Sequence, residues 1–348
     1  MVNAICTEIS LRKTEWQAYQ FNTIYLGGGT PSMLTKAELR HLLNSLHSNL
    51  DIAEPLEEFT LECNPEDITR EQLNEWSTLG VDRLSIGTQS FHDEDLKLMN
   101  RNHNGRQGID AINLARDHGF ERLTIDLIFG IPNQPIDRLE KNLDLLFELS
   151  PQHFSAYSLT VEPGTLLAHQ VQKGIIRPVE ESQCLDQYEH IHHKAVENGY
   201  GHYEISNYAL EGFEAQHNSS YWKGSHYLGL GPSAHSYNGS HRRWNVANNH
   251  QYIRSVNNRM GFSESELLGE NDLFNEYLIT RLRTKWGISL SYLKEHFYQY
   301  AVKIEGKLNR LSNEGLMLQK SDNFTLSLKG QFLCDHITEN LMIIDDED

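Results

Sequence analysis

The sequence predicts an α/β protein, part of a TIM-like (β/α) barrel followed by a small, mainly helical C-terminal piece. Three observations carry that prediction. Apolar, β-branched runs recur at residues 21–26, 59–62, 83–88, 122–129 and 154–160. Stretches of helical period separate them at intervals of about 25–40 residues, the rhythm of parallel strands joined by right-handed crossovers. Polar residues fall where the runs end: residues 27–30, Glu62, Gln89 and Asp126. In a barrel those ends share one rim, whereas a doubly wound sheet gathers its ligand groups at a single switch point.

Taken in order, residues 5–16 form an amphipathic helix ahead of the first strand-like run. A barrel that opens with a helix lacks its first strand and leaves an edge beside residues 21–26. Thr35, three residues before Glu38, begins a capping box for a helix running through Leu39, Leu42, Leu43 and Leu46. Leu73, Trp76 and Leu79 share a helical face, as do Leu139, Leu143, Leu146 and Leu149. Beyond Thr160 the rhythm changes. A turn at residues 162–165 precedes a helix over 180–198, and residues 201–239, dense in Gly, His and aromatics, suit short strands and binding loops. From about Phe262 the pattern is helical again. It closes with a helix over 308–316, a turn at Ser321-Asp322-Asn323, a strand over 324–328 and a last helix, the order of a winged-helix module. The expected division is 1–165 for the barrel, 166–260 for its extension and 261–348 for the C-terminal domain.

Composition narrows the function. The 348 residues carry 30 Lys+Arg against 48 Asp+Glu, a formal charge of −18. No basic run offers the footprint of a polyanion binder, and residues 261–348 hold 15 acidic against 9 basic residues, so nucleic acid is not an expected partner. No apolar stretch reaches the roughly 18–20 residues of a membrane helix. The four cysteines, Cys6, Cys63, Cys184 and Cys334, lie far apart with no C-x-x-C pair, neither a disulfide framework nor a linear metal motif. A cytoplasmic protein is the expectation.

The motifs sit at the strand ends. Leu26-Gly27-Gly28-Gly29-Thr30-Pro31 lets the backbone approach a ligand and exposes N–H groups, or simply makes a tight turn. Glu62 suits an amine or a ribose diol, or serves as a helix-dipole partner. Gln89 and Arg101 add an amide and a cation. Asp126 stands within an apolar strand, where an unpaired carboxylate costs several kcal/mol, so it needs a ligand or a structural arginine. His217 in His217-Asn218-Ser219-Ser220-Tyr221-Trp222 is either a haem ligand or a satisfied structural histidine. His226 and His235 are lesser candidates.

Together these segments resemble the radical S-adenosylmethionine (SAM) superfamily and, within it, the haem chaperones related to oxygen-independent coproporphyrinogen III oxidase. The resemblance runs through GGGTPS at 27–32, ECNPED at 62–67, RLSIGTQSF at 83–91, LMNRNH at 98–103, IDLIFGIPNQ at 125–134, YSLTVEPGT at 157–165, HNSSYW at 217–222 and YLGLGPSAHSY at 227–237. It implies a partial, open TIM-like barrel of radical SAM type with its first strand missing. It implies SAM contacts by Gly28, Gly29, Thr30 and Glu62, with Gln89, Arg101, Asp126 and Thr160 lining a second SAM site in the oxidase relatives. HNSSYW resembles the chaperone branch and assigns haem binding to His217, with a haem-accepting apoprotein as partner. Peripheral membrane association and a homodimer are compatible with the resemblance. The family's C-x-x-x-C-x-x-C loop, which ligates a [4Fe–4S] cluster, is not in this sequence. Its cysteines are expected upstream of Met1, through truncation, with natural loss as the alternative. Coproporphyrinogen oxidation and a clusterless porphyrin- or nucleotide-binding remnant are the competing functions.

Overall fold

The computed structural model describes residues 1–344. The chain divides into two compact units. The first comprises Met1–Ile24, Leu34–Glu58 and the chain from Gln216 onward; the second comprises Tyr25–Met33 and Phe59–Ala215.

The second unit is organised on an open seven-stranded sheet. Its strands are β1 (Thr23–Leu26), β2 (Glu58–Cys63), β3 (Arg83–Gln89), β4 (Arg122–Phe129), β5 (His153–Ser158), β6 (Gly201–Glu204) and β7 (Asn207–Ala209). Their spatial order is β1-β2-β3-β4-β5-β7-β6. Strands β2 to β5 pair in parallel, and β7 returns antiparallel to β5 and β6. All five strand-like runs of the sequence are present, each with its ends moved by at most two residues, apart from a break at Asn22 that sets Gln20–Phe21 off as a separate short strand.

Strand alternation sorts the side chains. Phe59, Leu61, Leu84, Ile86, Leu123, Ile125 and Phe154 are buried on one face. The other face carries Glu62, Ser85, Thr124 and His153 in one row, with Asp126 beside Ser155. Between the strands lie helices that bury the predicted stripes. Lys36–Asn49, in the first unit, buries Leu39, Leu42, Leu43 and Leu46 behind the Thr35–Glu38 capping box. Arg70–Thr78 buries Leu73 and Trp76 and ends before Leu79, which caps it half-buried, and Ile136–Leu149 buries Leu139, Leu143, Leu146 and Leu149. Helix Gly105–Asp117 packs on β3. A Cβ at Gly105 would stand 2.0 Å from the Phe91 carbonyl oxygen, so only glycine permits that approach.

In the first unit the opening helix runs Val2–Arg12, earlier than the expected 5–16. Beyond Arg12 the chain tightens into i→i+3 turns, Glu15 N–H to Arg12 O and Trp16 N–H to Lys13 O, which seat Trp16 against Tyr19 and Phe21. The helix is held by polar groups. Buried Glu8 accepts from Gly231 N–H at 2.9 Å, Asn245 Nδ2 at 2.8 Å and the Tyr252 hydroxyl. Arg12 donates to Ser236 Oγ at 2.9 Å and to the Gly229 carbonyl at 3.1 Å. The YLGLGPSAHSY segment therefore serves as the socket of this helix.

Two further expectations are corrected here. Strand Ser263–Leu267 lies where helix was expected; it completes a three-stranded antiparallel sheet with His235–Tyr237 and His241–Asn245, placing Glu266 opposite Arg242. Residues 216–222, expected as strand or loop, are helical. Helices Glu270–Leu282, Leu290–His296 and Tyr298–Asn313 then precede a hairpin of Met317–Lys320 and Asn323–Leu326, joined by Ile288–Ser289. Two short helices, Leu328–Phe332 and Cys334–Leu341, close the described chain.

Candidate functional site

The second unit gathers the predicted polar residues at the C-terminal ends of β1 to β5. Glu62, near the end of β2, is the hub. One carboxylate oxygen accepts from the Tyr25 hydroxyl at 2.7 Å, and the other accepts from the Gly28 N–H at 3.0 Å. Gly27 makes room for this: a Cβ there would lie 2.5 Å from the Tyr25 ring and 2.6 Å from Glu62 Oε1. Gly28 adopts φ +74°, and the whole stretch 27–30 is exposed. The loop is tied down just beyond, where Ser32 Oγ donates to Asp67 at 2.7 Å.

Arg101 and Gln89 meet above Gly87. The Arg101 guanidinium donates to Asn64 Oδ1 at 2.7 Å and to the Gly87 carbonyl at 3.0 Å. A Cβ on Gly87 would stand 3.1 Å from Gln89 Nε2 and 3.3 Å from Arg101 Nη2. The β3–β4 register shifts between Ile86 and Gln89, and Gln89 takes φ +64°, so an irregularity re-aims this side chain. Among the described residues no arginine forms an ion pair with Asp126; Ser85 Oγ donates to it at 3.3 Å and Ser155 supplies a second side-chain bond. Burial pushes its carboxyl up to about 7, with the neighbouring Glu62 adding to the rise and Arg101 opposing it. Tyr157, at the end of β5, has its hydroxyl raised above the ordinary range by burial and by Asp126. Thr160 lies two residues beyond β5 and is exposed; Gly29 and Thr30 are likewise open.

This donor set suits SAM. Glu62 and Asp126 are acceptors for an ammonium group or a ribose diol, Arg101 is a partner for a carboxylate, and the glycine turn brings a backbone N–H beside Glu62. The chemistry SAM supplies when bound is that of an activated sulfonium. A [4Fe–4S] cluster finds no ligands among the described residues. Among those residues no group of three metal-ligating side chains is present and no cysteine is in a disulfide, and burial pushes the Cys63 thiol far up.

His217 belongs to the first unit. It sits in the first turn of helix Gln216–Trp222, whose opening N–H groups, those of Gln216 and His217, donate to buried Glu58 at 2.9 and 3.1 Å. Both imidazole nitrogens are engaged: Nδ1 with Thr23 Oγ1 at 2.8 Å, Nε2 with the Tyr221 hydroxyl at 2.9 Å. The Tyr221 ring stands edge-on to the imidazole at 5.1 Å and packs edge-on to Tyr227 at 4.7 Å. Burial lowers the imidazole to about 4, with Glu58 opposing. Iron ligation needs a nitrogen lone pair, so one of these two bonds must open before His217 can bind haem. His226 is exposed beside Tyr19 and Tyr237, and His235 stacks on Trp244.

Sequence reasoning missed Tyr25, Asn64, Ser85, Ser155, Glu58 and Thr23. Asn64 lay within a quoted motif and was legible as a neighbour of Glu62. Strand alternation put Ser85 and Ser155 on the face of Asp126, which was readable once the register was known. Glu58 and Thr23 gave no signal, because their partners are 158 and 194 residues away.

The half-barrel with a glycine turn and a carboxylate at its mouth defines a radical SAM fold, and the radical SAM superfamily pattern matches residues 10–146. The structure of coproporphyrinogen III oxidase (HemN) from Escherichia coli superposes with a TM-score of 0.83 over 98% of this chain and 82% of that one; at 23% identity this shows the fold alone. The heme chaperone HemW of Lactococcus lactis is 32% identical over 335 residues, covering 95% of this chain and 88% of its own. HemW of Bacillus subtilis is 32% identical over 316 residues, covering 89% and 83%. At that identity and coverage the chain belongs to the HemW family of radical SAM proteins. The superfamily implies SAM and a [4Fe–4S] cluster as cofactors. Among the described residues no helix is long and apolar enough to cross a membrane.

Proposed function

We propose that this protein is a cytoplasmic haem chaperone: it binds haem through His217, hands it to an apoprotein, and holds SAM at the mouth of its half-barrel. The observation that carries the reading is the likeness to proteins described as heme chaperone HemW over nearly the whole chain. The geometry supports it. His217 is half-buried and held neutral, so its nitrogen competes for iron without first losing a proton. Gly28, Gly29, Thr30 and Glu62 bind SAM in this reading, with Gln89, Arg101, Asp126 and Thr160 around them. Coproporphyrinogen oxidation draws only on a shared fold, which does not carry an activity.

Haemin titration tests the first part. Wild type is expected to give a saturable Soret shift at one equivalent that His217→Ala loses; identical titrations would remove His217 from the account. SAM binding measured by calorimetry tests the second, with Glu62→Gln expected to weaken it at least tenfold, the cost of a lost charge-assisted hydrogen bond of about 1.5–3 kcal/mol.

A further inference from the structure

The arrangement around His217 raises a question that the haem assignment leaves open: how an imidazole with both nitrogens hydrogen-bonded receives iron. The two partners are built differently. Thr23 is a short β-branched residue on β1, and its hydroxyl has one side-chain torsion to move through. Tyr221 lies one turn beyond His217 on the same helix, and its hydroxyl reaches Nε2 at the end of a long side chain. Rotating Tyr221 frees Nε2 and leaves the backbone where it is. Freeing Nδ1 requires Thr23 to leave its χ1 rotamer, which a β-branched side chain on a strand resists.

From this geometry we infer that Tyr221 is a displaceable latch on His217 Nε2, and that Thr23 is the positioning residue that holds Nδ1 and aims the ring at iron. The inference rests on the proposed role of His217 in haem binding. In the ligating tautomer the proton is on Nδ1 and is donated to Thr23 Oγ1, the way a metal-bound imidazole ordinarily secures its second nitrogen. The Nε2 lone pair passes from the Tyr221 O–H to iron, and the freed hydroxyl donates to water. No proton leaves the protein, and no oxidation state changes. Glu58 keeps the helix end in place during the exchange by accepting the Gln216 and His217 N–H groups. The histidine and the tyrosine of the HNSSYW motif thus form one device: a ligand and the cover that occupies it when haem is absent.

The test is stopped-flow and equilibrium binding of haemin to the full chain, with four variants. Tyr221→Phe keeps the edge-on ring contacts with His217 and Tyr227 and removes only the hydroxyl. It is expected to raise the haemin association rate by about twofold to tenfold, the range spanned by one hydrogen bond of ordinary net strength, with the wild-type Soret position unchanged. Thr23→Val is expected to weaken haemin binding by a similar factor and to broaden the Soret band, while Thr23→Ser, which keeps the hydroxyl, restores both. His217→Ala separates the two levels. If it abolishes the Soret shift while Tyr221→Phe binds haemin no faster than wild type, the latch is overturned and the haem assignment stands. If His217→Ala titrates like wild type, both fall.

Discussion

Burial holds the His217 imidazole neutral, with its pKa drawn down to about 4. A histidine depressed in the folded state contributes stability that is fully present above the unfolded value near 6.5. Below that value the unfolded chain takes up the proton more readily, so the contribution falls as the pH drops toward 4 and is gone beneath it. Thermal melts of wild type and His217→Gln between pH 7.5 and 4 are expected to converge on the acid side; parallel curves would show that His217 is not the titrating group. The same residue shows what the sequence made legible. HNSSYW marked the histidine as unusual, and the i, i+4 spacing of His217 and Tyr221 was there to read. The third partner, Thr23, was not, since nothing local ties residue 23 to residue 217. Asp126 was readable as a buried carboxylate in need of partners, but the arginine held open as one of them is replaced by two serines from neighbouring strands. Choosing between a charged and a hydroxyl partner required the register.

At the level of elements, helices with their own caps were the readable ones. Thr35 and Glu38 close a capping box within four residues, and the helix starts where the sequence says it does. Helix Gln216–Trp222 has no such signal. Its first N–H groups are received by Glu58, a carboxylate borrowed from the start of β2, which is why a stretch rich in Asn and Ser read as loop. Glu58→Gln turns one of the two accepting oxygens into an NH2 donor, leaves one of the Gln216 and His217 N–H groups without its acceptor, and is expected to cost about 1–3 kcal/mol, measured as a lowered denaturation midpoint. The loss falls first on the helix that carries His217, so haemin affinity should drop in step with stability. Strand Ser263–Leu267 failed for the converse reason. Four of its five residues are exposed, and its pairing with His241–Asn245 leaves no apolar alternation to detect.

Across the whole molecule, the periodicity of the barrel region was enough to specify five of the sheet's seven strands, because parallel strands buried on one face write their positions as apolar runs. The segment between Tyr227 and Tyr237 falls within residues 201–239, whose Gly, His and aromatics suited short strands and binding loops, and its end, His235–Tyr237, is such a strand. Those glycines answer to packing. A Cβ on Gly229 would lie 2.0 Å from the His235 carbonyl oxygen, and the Gly229 carbonyl receives Arg12. Gly229→Ala is therefore expected to destabilise the first unit by about 1–3 kcal/mol, the usual cost of forcing an atom into a filled site. A melting temperature within one degree of wild type would contradict the socket role. Glycine-rich text with aromatic neighbours cannot by itself distinguish a backbone that approaches a ligand from one that approaches another backbone.

The half-titrated Asp126 carboxyl has a calorimetric consequence. With a value of about 7, it is near half protonated at neutral pH. A sulfonium or ammonium placed beside it favours the ionised form, so uptake of such a cation expels a fraction of a proton per molecule into solution. The heat of SAM binding then includes the ionisation heat of whatever buffer accepts that proton. Titrations in phosphate and in Tris at pH 7 should give different apparent enthalpies and one affinity, and Asp126→Asn should make the two enthalpies equal. The site would in this way match its own charge to that of its occupant, and acidification would loosen its hold on the cation by turning an accepting oxygen into a donor.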